Sequence, residues 1–216
     1  MAKRGRPRSF DRTVALERAM EVFWARGYEG ASMADLTAAM GINAPSLYLC
    51  FESKEALFRE AVAHYAATEG TLTMAALETA PTAREAIVAM LCGAVRAYTL
   101  PDRPPGCMIV TAAMTATEAN ESARQHLVEC RQQAVETIRR RLDQGVADGD
   151  LAAGTDTEAL AAFYATVLNG LSLLARDGAA PDKLNQVVTC ALAAWDCLTG
   201  PGIDRGSISA DETEAG

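Results

Sequence analysis

Apolar residues recur every three or four positions along most of this chain, and that spacing restricts it to a fold of packed helices. In the first long segment Leu16, Ala19, Met20 and Phe23 follow the i, i+3, i+4, i+7 pattern of one buried helix face, and Gly27 suits its end. The sequence lacks the period-two alternation of Val, Ile and Thr that indicates strands. Half of the 216 residues are hydrophobic, enough for a core. We therefore predict an all-α globular protein.

Residues 10–65 predict two short helices joined by a tight turn, with a longer helix on each side. Ser32, Asn43 and Ser53 each precede a helical apolar run and have side chains that cap helix N-termini. Gly41 breaks the chain between the two short helices. A Gly-containing turn of a few residues between short helices is typical of a helix-turn-helix.

Charge is distributed unevenly along the chain. The formal net charge is −8, which by itself argues against a nucleic-acid partner. Residues 1–59 nevertheless carry a net +2, and residues 60–216 carry a net −10. The first eight residues contain four basic residues and no acid: Lys3, Arg4, Arg6 and Arg8. A polyanionic partner is therefore expected at the N-terminal end.

The segment 32–58 contains a specific motif. It has a capped helix, then Gly-Ile, a small polar cap, Leu-Tyr-x-x-Phe over 47–51 and Ser-Lys-Glu-x-Leu over 53–57. In this pattern the chain resembles the DNA-binding domain of the TetR family over about residues 9–65. The remainder resembles the family in helix order, and Gly106-Cys107 and the stretch 170–178 look like one of its subgroups.

The resemblance implies an N-terminal three-helix helix-turn-helix DNA-binding domain followed by a C-terminal helical ligand-binding and dimerisation domain. The expected boundaries are a basic arm at 1–8, a DNA-binding domain at 9–68 with its helix-turn-helix at about 32–51, an effector-binding and dimerisation domain at 69–199, and a disordered tail at 200–216. The implied partner is a double-stranded operator.

The start of the second short helix is expected to face base edges in the major groove, since a helix fits there. Tyr48 is expected to contact DNA rather than to pack inside, and Lys54 to contact a phosphate. Cys50 departs from the family, which often has His or another polar or aromatic residue there, so a phosphate contact is lost. The predicted contacts of this domain are Ser32, Met33, Asn43, Ala44, Pro45, Ser46, Tyr48, Leu49, Cys50 and Lys54.

The four basic residues of the arm allow two interpretations. They can enter the adjacent minor groove, as the arms of other helix-turn-helix proteins do. They can also form a solvated tail without a partner. We favour DNA contact.

The run 159–175 carries no charge on any face of its predicted helix, so its outer side must also be buried. A membrane span is the alternative, but Asn169 and Gly170 interrupt it, and we predict no membrane contact. Pairing with the same helices of a second copy buries the outer side and places two reading helices in successive major grooves. We therefore predict a homodimer and a palindromic operator. The predicted interface residues are Phe163, Val167, Leu171, Leu184, Val188, Ala191 and Trp195.

Helices between 84 and 175 are expected to enclose an effector site, as the family resemblance implies. Ordinary core packing remains the alternative for each residue. The mostly apolar character of the candidate lining residues indicates a small, mainly apolar effector with one or two polar groups. The candidate lining residues are Tyr98, Cys107, Met108, Thr111, Ala112, Thr115, Tyr164 and Asn169.

Six scattered cysteines and two histidines predict no metal site, and no cofactor motif is seen. A thiol that senses oxidants or electrophiles, at Cys107 or Cys50, is an alternative form of regulation. We expect a helix start to lower the pKa of the Cys107 thiol. The other possibility is that the cysteines are small buried hydrophobic residues.

No catalytic motif of a hydrolase, nucleotide-binding enzyme or dehydrogenase occurs, so we predict that the chain is not an enzyme. A helical interaction module that does not bind DNA is the second rival, but it leaves the basic arm and the Tyr48/Lys54 spacing unexplained. We see no signal peptide and place the protein in the cytoplasm, at the nucleoid. Repression relieved by an effector is expected, with activation as the alternative.

Overall fold

The computed structural model describes residues 11–114 and 117–200. Within these ranges every regular element is a helix, which confirms the all-α prediction. The helices are α1 (Arg12–Gly30), α2 (Met33–Met40), α3 (Ala44–Phe51), α4 (Lys54–Ala67), α5 (Thr71–Met74), α6 (Ala76–Thr79), α7 (Ala83–Tyr98), α8 (Met108–Thr111), α9 (Glu121–Ala147), α10 (Thr157–Arg176), α11 (Pro181–Ala193) and α12 (Trp195–Thr199).

The predicted helix caps form as the local sequence dictates. Ser32 and Asp35 make a reciprocal capping box at the start of α2. The Asn43 side chain accepts a hydrogen bond of 2.9 Å from the backbone N–H of Ser46 at the start of α3. Ser53 caps α4 in the same way. These bonds satisfy backbone donors that a helix start leaves without partners, and they fix where the two short helices begin.

Helix α1 is interrupted at Gly27, which has φ +74° and lies within the span Arg12–Gly30. The positive φ was expected, but the chain regains helical conformation for one more turn instead of leaving the helix. The break frees the backbone N–H of Tyr28 to donate a 2.6 Å hydrogen bond to the carbonyl of Ala112. Helix α1 is thereby tied to the α8 segment of the C-terminal half.

Helices α1 to α4 share a core built on aromatic contacts. Phe23 lies edge-on to Phe58 at 5.0 Å between ring centroids, and Tyr28 lies edge-on to Phe58 at 4.9 Å. Met108 of α8 and Leu127 of α9 belong to the same buried cluster. The N-terminal core therefore extends into the C-terminal half, so the two halves share a continuous packed boundary.

A second core is formed by α7, α9, α10 and α11. Leu91, Leu142, Leu171 and Leu184 are fully buried in it. Helix α10 crosses α7, α9 and α11, and Tyr164 donates a hydrogen bond of 3.3 Å to the carbonyl of Ala191 on α11. This four-helix packing places α10 between the core on one side and the surface on the other.

Helix α10 is the one helix in the described ranges that is long and apolar enough to cross a membrane by length and composition. Its most apolar window has a mean hydropathy of 1.4, and 44% of that window is buried inside the subunit. One side of the helix is buried and the other is open, but both sides are uncharged over residues 159–175. Its buried side packs as an ordinary core helix does.

Candidate DNA-binding surface and effector cavity

Helix α3 has one buried side and one open side. Leu47 and Phe51 are buried in the N-terminal core, whereas Tyr48 is 50% exposed and Leu49 is 87% exposed. Tyr48 and Leu49 are therefore two adjacent large side chains that are open to solvent on the side of α3 opposite the core. The open side of α3 is the candidate contact surface of this domain.

The start of α3 adds a set of open positions to the same side. Asn43, Ala44 and Pro45 are exposed and Ser46 is half-buried. Ser32 is exposed at the start of α2, and Met33 is half-buried beside it. Each of these two helix N-termini is open to solvent, and backbone N–H groups at a helix N-terminus suit phosphate oxygens. Whether each of these residues contacts DNA stays a prediction.

Lys54 lies within the N-terminal domain in a defined position. Its ammonium nitrogen is 4.4 Å from the ring centroid of Tyr28, a cation–π contact. Burial lowers the pKa of Lys54, while the charge of Glu29 raises it. The contact holds the Lys54 side chain at the start of α4. A contact between Lys54 and a phosphate remains a prediction. Cys50 is half-buried among the residues packed against the N-terminal core.

A groove beside α3 contains a basic residue that the sequence reasoning missed. Exposed Arg18 of α1 lines it together with Thr37, Asn43 and Ser46. Arg18 occupies a polar position of the α1 repeat, which looks like any solvated helix face. Only the crossing of α1 over α2 shows that it faces the same side as α3.

Several predicted contacts lie outside the described residues. They are the four basic residues of the arm and one candidate of the effector site: Lys3, Arg4, Arg6, Arg8 and Thr115.

A cavity of about 80 Å³ lies between the two cores. Its walls come from α4, α5, α7, α8, α9 and α10, and they are mainly apolar. The lining residues are Tyr65, Gly70, Thr73, Met74, Tyr98, Cys107, Ile109, Val110, Cys130, Arg131, Ala134, Ile138, Ala165, Leu168 and Asn169. The predicted residues Tyr98, Cys107 and Asn169 are among them.

Four other predicted lining residues are not among the residues that line this cavity. Met108 and Ala112 turn toward the N-terminal core. Tyr164 is fully buried against Trp195 in the C-terminal core. Thr111 turns its hydroxyl back to the carbonyl of Cys107 at 2.9 Å. The spacing placed these residues on helices near the cavity, but the side of each helix is set by packing that the sequence does not show.

The cavity also has residues that the sequence reasoning missed. Tyr65 comes from the DNA-binding half, on α4. Arg131, Ala134 and Ile138 follow one another at i, i+3 and i+7 on one face of α9. That helical spacing was a usable signal. Arg131 itself was not predicted to line the cavity.

Cys107 lies at the meeting point of several hydrogen-bond donors. The hydroxyl groups of Tyr65 and Tyr98 contact its thiol, and the backbone N–H groups of Ile109 and Val110 also point to it. Burial raises the pKa of the thiol, and these donors lower it only in part. The expected lowering of the pKa by a helix start is therefore wrong, because α8 has four residues and desolvation outweighs its dipole. Burial likewise raises the pKa of Tyr98.

The residue before Cys107 joins the cavity to α1. Gly106 has φ +77°, donates its N–H to Tyr98 at 3.1 Å and accepts the Trp24 indole N–H at 3.2 Å. Cys107 donates its backbone N–H to the hydroxyl of Ser172 at 2.8 Å. We call these residues, Trp24, Tyr98, Gly106, Cys107 and Ser172, the Gly106 junction. The cavity wall at Cys107 is thus joined by hydrogen bonds to α1, the first helix of the DNA-binding domain.

A second connection runs from the end of α10 to the same part of α1. The guanidinium of Arg176 donates to the carbonyl of Trp24 at 2.9 Å and to the carbonyl of Ala25. These carbonyls are freed for bonding by the break at Gly27. Helix α1 is therefore held by both walls of the cavity.

The predicted dimer interface is corrected in part. Leu171 and Leu184 are fully buried in their own subunit, so they have no surface to offer a partner. Val188, Ala191 and Trp195 are at most 6% exposed and belong to the same core. The other two predicted residues lie on the outer side of α10: Phe163 is 37% exposed and Val167 is half-buried.

Comparisons with known proteins agree with this architecture. Residues 15–61 match the family described as bacterial regulatory proteins of the tetR family, and residues 81–191 match a tetracyclin repressor-like C-terminal domain. The transcriptional repressor ComR of Escherichia coli K12 is 34% identical over 198 residues, which covers 89% of this chain and 92% of ComR. The HTH-type transcriptional regulator YezE of Bacillus subtilis 168 is 31% identical, covering 89% of this chain and all of YezE.

A solved structure shows the same fold at higher identity. It contains a cysteine variant of the TetR family regulator CifR in complex with a 26-bp double-stranded operator, with 52% identity and a TM-score of 0.85. The alignment covers 88% of this chain and all of that one. Both halves of the chain, and the order of their helices, are thereby accounted for. The chain belongs to the TetR family of bacterial transcriptional regulators.

Proposed function

We propose that this chain is a transcriptional repressor that binds a palindromic operator as a homodimer and releases it when a small, mainly apolar effector enters the cavity. The observation that carries the proposal is the open side of α3, where Tyr48 and Leu49 are exposed above a buried Leu47 and Phe51. The repressor and operator complexes named among its relatives support the same assignment. Such a protein acts in the cytoplasm, at the nucleoid.

The homodimer is supported by the outer side of α10. It is uncharged from residue 159 to residue 175, and Phe163 projects from it. A two-fold pair places the same face of each copy against the other, so one apolar surface covers its equivalent. The two α3 helices then read half-sites about one turn of DNA apart, which is why the operator is expected to be palindromic.

Release is supported by the Gly106 junction. The backbone that carries Cys107 into the cavity also accepts the indole N–H of Trp24 on α1. An effector that binds one arrangement of this wall better than another shifts the population toward that arrangement. Because α1 packs against α2 and α4, its displacement moves α3 relative to the partner's reading helix.

The test is a gel shift with double-stranded DNA from upstream of the chain's own gene. A specific, salt-sensitive complex supports the proposal, and an equal affinity for every duplex contradicts it. A helical interaction module without DNA binding gives no complex at all.

Phe163→Glu is expected to separate the dimer and to weaken operator binding by about 100-fold, because each α3 then binds its half-site alone. Sedimentation velocity gives the oligomeric state, and fluorescence anisotropy gives the affinity. Leu72→Glu is the control, since Leu72 is 59% exposed and lies outside α10 and α11. A dimer that persists in Phe163→Glu at micromolar concentration would show that α10 is not the interface.

A second candidate for the signal is covalent modification of Cys107. The favouring observation is its position: the thiol lines the cavity with two tyrosine hydroxyls and two backbone N–H groups around it. The sulfur can add to the β-carbon of an α,β-unsaturated carbonyl compound that enters the cavity: the C–S bond forms as the C=C π bond breaks, and the thiol's proton is taken up at the α-carbon, so no group leaves. An adduct there would push directly on the Gly106 junction. Cys50 is a weaker candidate, because it packs against the N-terminal core.

Alkylation of Cys107 by iodoacetamide is expected to be slower at pH 7 than that of a free cysteine. Burial raises the pKa of this thiol, so the thiolate is scarce at neutral pH and its fraction grows only as the pH rises through that raised value. Mass spectrometry of Cys107 against pH measures the rate, with exposed Cys190 as internal reference. Labelling of Cys107 at pH 7 as fast as that of a free thiol contradicts the expectation.

A further inference from the structure

Arg131 is the one charged residue among those that line the cavity. It is half-buried on α9, and one of its N–H groups donates to the carbonyl of Ile109 at 2.8 Å. No carboxylate of the described residues lies within ion-pair distance of it. Arg124, two turns earlier on the same helix, is paired with Glu121 instead. The cavity therefore has a positive group with no counter-ion from the described chain.

The rest of the wall makes that charge significant. The space beside Arg131 is bounded by side chains such as Ile138, Ala134 and Leu168, and by no acid. Burial lowers the pKa of Arg131, and so does the charge of Arg124, which agrees with a guanidinium in poorly hydrated surroundings. Four of its five N–H donors have no acceptor among the described residues, so they are open to a bound molecule.

Ligand entry changes the hydration of this group. A neutral apolar molecule that fills the cavity removes water from the guanidinium without replacing its hydrogen bonds, which costs free energy. A carboxylate supplies two acceptor oxygens in the geometry that a guanidinium matches. A cation is repelled. The side-chain amide of Asn169 lies in the same cavity and offers a second polar contact.

We propose that the effector is an amphiphilic anion, with an apolar body in the cavity and a carboxylate paired with Arg131. This inference rests on the proposed role of the cavity as effector site and names the ligand class for it. The Arg131 guanidinium lies next to Ile109, which is two residues after Cys107. A carboxylate paired with Arg131 would therefore bind against the α8 segment that leads into the Gly106 junction.

Calorimetric titration of the full chain with straight-chain carboxylates of about six to twelve carbons, below their micelle concentrations, tests the ligand class. The matching primary alcohols serve as uncharged probes of the same shape. At least one carboxylate is expected to bind about tenfold more tightly than its alcohol. In Arg131→Met that preference is expected to disappear while the alcohol's affinity stays the same, and Arg131→Lys is expected to keep part of it.

Arg124→Met is the matched control, since it removes an equal charge from a residue of the same helix that is paired with Glu121 and does not line the cavity. If no carboxylate of the series binds more tightly than its alcohol, or if Arg131→Met and Arg124→Met bind carboxylates alike, the inference is overturned. Operator binding of each variant is measured in parallel. If the wild-type chain binds the operator but shows no preference for carboxylates over alcohols, this inference alone is rejected, whereas the absence of operator binding in the wild-type chain rejects the proposed function.

Discussion

Gly106→Ala is expected to lower the free energy of unfolding by more than about 3 kcal/mol. Gly106 has φ +77°, which strains any residue with a side chain, and a Cβ built there lies 2.5 Å from the backbone carbonyl oxygen of Ser172 on α10. That oxygen belongs to a helix packed in the core, so it cannot move aside as a flexible side chain does. Urea denaturation monitored by far-ultraviolet circular dichroism measures the change.

Gly149→Ala separates the two causes. Gly149 has φ +78°, but a Cβ there meets nothing within 4 Å. It is expected to cost only the conformational strain, about 1 kcal/mol. If both variants lose the same stability, the close approach of α10 to Gly106 contributes nothing, and the junction is not held as the structure shows.

Tyr48→Ala is expected to weaken operator binding by about 100-fold without loss of stability. A contact to a base edge or phosphate is worth about 1–3 kcal/mol, and a dimer loses it twice. Stability should hold because the side chain is 50% exposed and leaves no cavity in the core. Fluorescence anisotropy with a labelled operator gives the affinity, and thermal denaturation checks the fold.

Two further variants define the contact. Tyr48→Phe keeps the ring and removes the hydroxyl, so it reports whether a hydrogen bond or ring packing provides the affinity. Leu72→Ala removes an exposed apolar side chain outside the predicted DNA-binding surface and is expected to bind the operator normally. Wild-type affinity in Tyr48→Ala would mean that α3 does not use this side chain on DNA.

The helix-turn-helix could be predicted closely because its signals are local. Ser32, Asn43 and Ser53 cap the helices that directly follow them, and the buried positions of α3 alternate at helical spacing with the open ones. Gly41 ends α2 with φ +69°, as a left-handed helix cap requires. Each of these features involves residues within one or two helical turns of each other, where sequence spacing and spatial distance agree.

The cavity and the dimer face were predicted less well, because long-range packing decides them. Helix α10 is apolar all round, so its spacing does not tell which side faces the core, and Leu171 was placed on the surface although it is fully buried. Met108 was assigned to the cavity but packs on the N-terminal core. Arg131 was not predicted to line the cavity, because its sequence neighbours do not show which helices pack around it. The local motif also says nothing about how Gly106 meets α10.

The most direct test of the whole account is the salt dependence of operator binding. A labelled duplex from upstream of the gene is titrated with the wild-type dimer by anisotropy at several salt concentrations, beside a scrambled duplex. We expect an affinity in the nanomolar range that falls by about 10³ between roughly 50 and 200 mM salt, and much weaker binding to the scrambled duplex. Equal binding to both duplexes, or binding that salt does not change, would contradict it.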